Sequence, residues 1–340
     1  MRTLRGVGLP VDRRRLHEWL ECRPEDTESN DLPSSSTRTD DYSSSSNVST
    51  RRPRVSIGLP VFNAERFVEQ SLKSLTEQTY GDFELVISDN ASTDRTEQIC
   101  RDYAAGDRRI TYCRNEKNIG GPRNFNQVFE RCHGEYHKWS TADDYWHPTV
   151  LEKCVDVLDR SPEVVLCYPK TTLVNERNEF ISQYEDNLHL QDSSPNKRFM
   201  QLLDTIGLCN AHLGVIRRQA LKRTALIGDQ LQSDVHLLAE LTLYGRFYLL
   251  PEFLFFRRFH PGSSSWERSS KQHQLEYYDP AHQTYFGMHT WRKYIKLFTA
   301  VQRSPIRMKD KLELFGYLGR SMRWGRSALG RELFAAIRRG

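Results

Sequence analysis

The chain has 340 residues, of which 38% are hydrophobic and 27% charged, with a formal net charge of +5. That length buries a full core in one large domain or two modest ones, and no apolar run approaches the ~18 residues of a membrane span. The charge is uneven. Residues 1–52 carry nine basic and nine acidic side chains, residues 291–340 carry thirteen and three, and 53–290 is left at −5. A basic tail on an acidic body argues against nucleic acid as a partner and turns the tail toward an anionic surface such as a membrane.

Residues 1–52 hold Pro33-Ser-Ser-Ser-Thr and Ser43-Ser-Ser-Ser-Asn with little apolar periodicity, which predicts a disordered Ser-rich leader. Met1–Val7 lacks the apolar core of a secretory signal, which predicts a cytoplasmic chain, peripheral at the inner face of the membrane. The seven cysteines form no Cys-x-x-Cys and read as reduced core thiols.

From Arg54 the texture changes. Val55–Pro60 reads as a buried strand, Asn63 as the cap of a helix with Phe67, Val68, Leu72 and Leu75 on one face, and Phe83–Ser88 as a second strand. Asp94 and Glu97 read as a capping pair for a second helix, Ile110–Arg114 as a third strand, and Pro122 as the first turn of a third helix. Tyr136–Ser140 is the fourth strand and runs into Asp143-Asp144. Strands alternating with helices in this way predict a parallel sheet covered on both faces. Beyond Pro148 follow a helix, a strand over Val164–Pro169, a hairpin over Asn175-Glu-Arg-Asn, two helices near 197–206 and 235–244, and strands at Arg246–Pro251 and Leu254–Phe256.

Three polar clusters fall at strand C-termini: Pro60-Val-Phe-Asn, Asp89-Asn-Ala-Ser-Thr-Asp and Asp143-Asp144. In an open α/β sheet those ends converge on one binding edge. Adjacent carboxylates repel unless a cation sits with them, and a divalent metal carrying phosphates meets that need. Phe62 can stack on a base, Asp89 can accept hydrogen bonds from a base or ribose, Asp143 can reach ribose hydroxyls and Asp144 can bind the metal. Neither Gly-x-Gly-x-x-Gly nor Gly-x-x-x-x-Gly-Lys-Ser/Thr occurs, so dinucleotide binding and ATP hydrolysis lose their usual signatures.

Pro60-Val-Phe-Asn, Asp89-Asn-Ala-Ser-Thr-Asp, Asn118-Ile-Gly-Gly-Pro-Arg-Asn with Asn126, and Thr141-Ala-Asp-Asp stand in an order that resembles the family 2 inverting glycosyltransferases. The resemblance runs from about Arg54 to Ser265 and is looser beyond Pro169. It implies an α/β fold of GT-A type: a Rossmann-like, mostly parallel sheet flanked by helices, with a nucleotide-binding half over 53–160 and an acceptor half over 161–265. A basic helical C-terminal extension follows over 266–340. It further implies a nucleoside-diphosphate sugar donor, with Pro60, Phe62, Asn63, Asp89, Arg123 and Asp143 on the nucleotide. Mn²⁺ or Mg²⁺ would sit on Asp144, with His260 as a further ligand or phosphate contact. Arg257 or Arg258 would meet the diphosphate. This chain has an adjacent Asp-Asp rather than Asp-x-Asp, a variant familiar in the family that leaves open which of the two carboxylates touches the metal.

Inverting transfer needs a general base for the acceptor hydroxyl. The family carries it on an acidic residue at a helix start. Asp234, in Gln232-Ser-Asp-Val-His, fits that place, with Asp229 as the fallback. His212 and His236 have no metal-ligand spacing and read as structural or surface residues. After Pro305, apolar residues alternate with arginines. A helix on an anionic membrane surface and a helix packed on the domain with a solvated basic face both fit this pattern. The expected function is transfer of a sugar from a nucleotide to a saccharide or lipid-linked hydroxyl acceptor, in polysaccharide or glycolipid synthesis. The alternatives are a non-catalytic nucleotide-sugar binding protein and a nucleotidyltransferase of similar sheet topology.

Overall fold

A computed structural model describes residues 52–260, 277, 278, 280 and 288–337. The expectation of a Ser-rich leader, and the Ser-rich turn after His260, lie outside the described residues.

The first half of the fold is β1 (Val55–Val61), α1 (Val68–Thr76), β2 (Phe83–Asp89), α2 (Thr96–Gly106), β3 (Ile110–Arg114), α3 (Gly121–Arg131) and β4 (Tyr136–Trp139). These strands pair in parallel in the order β3-β2-β1-β4. The apolar runs explain why. Val55, Ile57, Leu59, Leu85 and Ile87 are all fully buried, so both faces of the strands must be covered by helices. Gly58 lets α3 come close to β1. A Cβ there would lie 2.9 Å from Val128 Cγ1, closer than real side chains approach.

Next come β5 (Tyr145–Trp146), α4 (Val150–Arg160), β6 (Val164–Val174), β7 (Phe180–Tyr184), α5 (Pro195–Thr205), a 3₁₀ turn (Asn210–Leu213), β8 (Val215–Arg217), α6 (Arg218–Leu221), α7 (Ser233–Leu241) and β9 (Arg246–Arg258). They extend the same sheet as β4-β8-β6-β9-β5, with β7 on β6. Here only β6 and β9 run parallel. β8 opposes both β4 and β6, β5 opposes β9, and β7 opposes β6. The α/β class stands as expected, with the parallel alternation confined to β1–β4. The two short strands expected around Pro251 are one long strand, β9, whose register on β6 shifts near Pro169 and Lys170.

The last helices are α8 (His289–Arg303), α9 (Met308–Trp324) and α10 (Arg326–Ile337). They pack on the domain through buried Leu297, Val301, Leu314 and Leu318. Arg303 donates from Nε to Glu240 Oε1 at 2.9 Å, and Asn196 donates to Glu313 Oε2 at 2.6 Å. Packing therefore accounts for the apolar side of this extension. It leaves Trp324 82%, Phe334 72% and Ile337 67% exposed beside the arginines.

Two capping expectations are corrected. Asn63 does not cap α1, which starts at Val68. It has φ 45° and clasps the neighbouring loop, accepting from Thr93 N at 2.8 Å while its own N–H donates to Ser92 Oγ at 3.0 Å. Glu97 does not complete a capping box, because its carboxylate is drawn to Arg101 and Arg114. Asp94 still serves its helix by accepting from Thr96 N at 3.0 Å, and its second oxygen accepts from Glu65 N at 3.1 Å.

Candidate active site

The parallel register brings Val61, Asp89 and Arg114 side by side at the C-terminal edge. Asp89 is fully buried there. Its Oδ2 accepts from Arg114 Nη1 at 2.7 Å and from Tyr112 Oη at 2.6 Å, and its Oδ1 accepts from Ser92 N at 2.8 Å. Such a carboxylate holds the loop after β2 and aims Arg114. Arg114 and Tyr112 were not foreseen, since their role depends on a pairing that only the sheet register creates.

A second unforeseen feature is a chain of amides, of which Asn90 and Asn124 are buried and Asn115 and Asn118 half-buried. Ser88 and Asn124 exchange two hydrogen bonds, at 2.6 and 2.8 Å. Asn115 Nδ2 donates to Asn90 Oδ1 at 3.1 Å, and that oxygen also accepts from Ile119 N at 2.9 Å. Asn90 Nδ2 donates to Asn118 Oδ1 at 2.6 Å, which in turn accepts from Gly120 N at 2.9 Å. The network fixes the loop before α3. Gly120 ends that loop at φ 88°, a conformation open to glycine, and a Cβ there would meet the Tyr278 carbonyl at 2.8 Å. Arg123, one turn into α3, is exposed and lines a groove with Arg114, Asn115, Lys117 and Asn126. Phe62 is 46% exposed at the end of β1 and free to present its ring, while Pro60 lies within the strand opposite Ser88.

The aspartate pair divides by environment. Asp144 is buried, and both oxygens are engaged. Oδ2 accepts from Thr141 Oγ1 at 2.6 Å and Oδ1 accepts from Arg258 N at 2.8 Å. Burial first, then the charge of Asp143, pushes its carboxyl up to about 7. Asp143 keeps an open side. Its Oδ2 lies 3.2 Å from His260 Nε2. Burial pushes that carboxyl up, but the His260 hydrogen bond and charge, with Arg257 behind them, hold it below its ordinary value. The residue expected to carry the metal is therefore occupied by protein donors, and the one expected to face ribose sits beside the imidazole.

Arg258 is buried and fully committed. It donates from Nε to the Asp143 carbonyl at 2.8 Å, from Nη1 to Asn178 Oδ1 at 2.6 Å and from Nη2 to Gln70 Oε1 at 2.7 Å. That corrects its expected role as a diphosphate partner: it builds the floor under the aspartates. Arg257 points the other way, donating to the Leu208 carbonyl at 2.7 Å and to Asn210 Oδ1. Lys138 was also missed. It is buried behind the pair, donates to the Leu213 carbonyl at 2.6 Å and sits over the Trp146 ring, and burial holds its amine well below the usual lysine range.

Asp143, Asp144 and Asp234 line one cavity of about 280 Å³, together with His212, Arg257 and Tyr277. Asp234 stands in the first turn of α7, preceded by Gln232 at φ 61°. Asp229 is exposed and does not line the cavity. His212, read from the sequence as structural, borders the cavity. A hydroxyl entering the cavity would meet carboxylates from both segments.

This edge geometry agrees with what known proteins show. Residues 56–224 match the family model described as Glycosyl transferase family 2. The chain belongs to that family through this domain. Chondroitin synthase of Escherichia coli is 28% identical over 132 residues, which cover 39% of this chain and 19% of that protein. Matched stretches span less than half the length of the curated relatives. Among solved structures, S. aureus TarS 1–349 in complex with UDP superimposes with TM-score 0.56 at 17% identity, covering 76% of this chain and 68% of that one. Mannosyltransferase PcManGT from Pyrobaculum calidifontis, in complex with GDP-Man and Mn²⁺, gives TM-score 0.50 at 18% identity, covering 86% and 77%. The fold of this family 2 chain is thus the GT-A type, a curled sheet flanked by helices.

Proposed function

We propose that this family 2 protein is an inverting, metal-dependent glycosyltransferase that moves a sugar from a nucleoside diphosphate to a hydroxyl acceptor in polysaccharide or glycolipid synthesis. One observation carries the reading: the aspartate pair and Asp234 line one cavity at the sheet's C-terminal edge.

The donor side is built from Phe62, whose exposed ring stacks on the base, and from Asp89, which acts through Arg114. Arg123 and Arg114 offer positive charge to the nucleotide. Asp143 and His260 fit a divalent cation, since a carboxylate oxygen and an imidazole nitrogen already 3.2 Å apart could turn to one Mn²⁺ or Mg²⁺. When bound, that ion neutralises charge on the leaving diphosphate. The roles of the two aspartates are thereby exchanged relative to the sequence expectation, with Asp144 positioning the loop. Asp234 takes the acceptor proton as the hydroxyl oxygen bonds to the anomeric carbon. The bond to the diphosphate breaks on the opposite face and carries its electron pair away.

Support for the donor class comes from TarS with UDP and PcManGT with GDP-Man and Mn²⁺, and support for a polymer-building context comes from chondroitin synthase. A base lining the same cavity as Asp143 favours an enzyme over a binding protein. Leu59-Pro-Val-Phe-Asn at the end of β1, without the glycines, Arg and Lys of that class, disfavours a nucleotidyltransferase. Thermal shifts with a panel of nucleotide sugars test the reading: one donor should raise the melting point with Mn²⁺ and not without it. No shift with any donor would overturn it.

No described helix is long and apolar enough to cross a membrane. Peripheral contact through 305–340 is proposed from the exposed Trp324, Phe334 and Ile337 beside Arg323, Arg326 and Arg331. Co-sedimentation with anionic vesicles, lost in Trp324→Ser/Phe334→Ser, is the expected result. Equal binding to neutral vesicles would contradict it.

A further inference from the structure

Cys209, His212 and Asp234 come from two segments about twenty residues apart, yet one ligand atom from each lies within 4.8 Å of the other two. Cys209 is buried at 3% exposure and holds a left-handed backbone, φ 62° and ψ 24°. That conformation is strained for a residue other than glycine, and the thiol lies within reach of Asp234 at the start of α7. His212 Nδ1 lies 2.6 Å from the Cys209 carbonyl. A carbonyl only accepts, so Nδ1 carries the proton and Nε2 keeps a free lone pair. This is how metal-bound imidazoles are oriented. Asp234 joins the group from the first turn of α7, and both His212 and Asp234 line the cavity.

The donor set differs in kind from the Asp143–His260 pair. A thiol, an imidazole and a carboxylate favour a borderline-soft ion that accepts tetrahedral coordination, and three protein ligands leave a fourth position for water. We infer that Cys209, His212 and Asp234 form a second cation site, selective for a thiophilic divalent ion such as Zn²⁺. On binding, the Sγ–H bond is exchanged for an Sγ–metal bond, the proton leaves to solvent, and no electrons change hands. One consequence rests on the reading of Asp234 as the base: zinc held there occupies the carboxylate lone pairs, so a thiophilic ion stops transfer while Mn²⁺ supports it.

The test uses the full chain, stripped of metal and titrated with Co²⁺ and then Zn²⁺, with no donor or acceptor present. The expected result is one equivalent of Co²⁺ with a thiolate-to-cobalt charge-transfer band, displaced by Zn²⁺. Cys209→Ser should abolish the band, and His212→Gln should weaken Zn²⁺ at least about tenfold. Asp143→Asn should leave both unchanged. A thiolate band from any other cysteine would survive Cys209→Ser. If Cys209→Ser fails to fold, His212→Gln decides alone, since unchanged Zn²⁺ affinity in that variant rejects the site. No band, a band that survives Cys209→Ser, or a band lost in Asp143→Asn would overturn the inference. Failure of the glycosyltransferase reading would instead show as absent transfer with the cobalt band intact.

Discussion

Arg258 donates from Nε to the main-chain carbonyl of Asp143 at 2.8 Å. Its own main-chain N–H donates to the carboxylate of Asp144, also at 2.8 Å. The last residue of β9 thus sets the height and tilt of a turn more than a hundred residues earlier in the chain. Arg258 lies over the rings of Phe67 and Tyr145 and is 2% exposed, while its acceptors Gln70, Asp143 and Asn178 are half-buried. Arg258→Ala should strand Gln70, Asn178 and the Asp143 carbonyl and cost on the order of 3 kcal/mol. Arg258→Lys should recover little, because one ammonium cannot replace a planar fork spanning three acceptors. Urea unfolding midpoints measure this. A midpoint within error of the parent in either variant would contradict the clamp.

The two aspartates should respond differently to amidation. Asp144→Asn can keep one acceptor for Arg258 N and donate to the Thr141 hydroxyl, which also accepts. With its carboxyl pushed up to about 7, Asp144 already spends part of its time neutral near physiological pH. Activity should fall less than about tenfold. Asp143→Asn removes the open oxygen beside His260 and should cost at least the ~100-fold that marks the upper range for a partner outside the metal's own ligands. Mn²⁺ dependence of donor binding in the two variants checks the order. A larger loss in Asp144→Asn would restore the assignment expected from the sequence.

Asp186 gives a pH prediction for stability. It is 3% exposed, and burial pushes its carboxyl up to about 7 against the countervailing charge of Arg257. The folded state therefore holds a proton that the unfolded chain has released. Stability should fall as pH rises from near 4 to near 7 and level off above. Asp186→Asn removes that slope. Relative to the parent, the variant should gain on the order of 1 kcal/mol or more between pH 5 and pH 8. Denaturant midpoints at the two pH values decide it, and a gain at pH 5 equal to that at pH 8 would contradict the shift.

The parallel half of the fold was legible because its strands are apolar runs and its helices carry clean stripes. Val55–Val61, Phe83–Asp89 and Tyr136–Trp139 all stand where their patterns place them. The stretch after β4 was less so. β8 is three residues long, and its antiparallel pairing with β4 and β6 leaves no periodic signal. Within the site, strand ends located the polar clusters, but not which groups satisfy which. That Asp144 is used up by Thr141 and Arg258, or that Asp89 spends its oxygens on Tyr112, Arg114 and Ser92, depends on contacts between segments distant in sequence. His212 looked structural because its partners Cys209 and Asp234 fit no metal-ligand spacing, although all three meet at one cavity.

On the proposed reading, the donor's phosphates and the base are held by different segments lining one cavity. The most direct test compares Asp143→Asn and Asp234→Asn side by side, for Mn²⁺-dependent donor binding by calorimetry and for transfer by product formation. Asp234→Asn should bind donor as the parent does and lose transfer by about 10²–10⁴-fold, the range for a general base. Asp143→Asn should lose the metal-dependent binding itself. An Asp234→Asn variant that fails to bind donor, or that transfers sugar at the parent rate, would contradict the account.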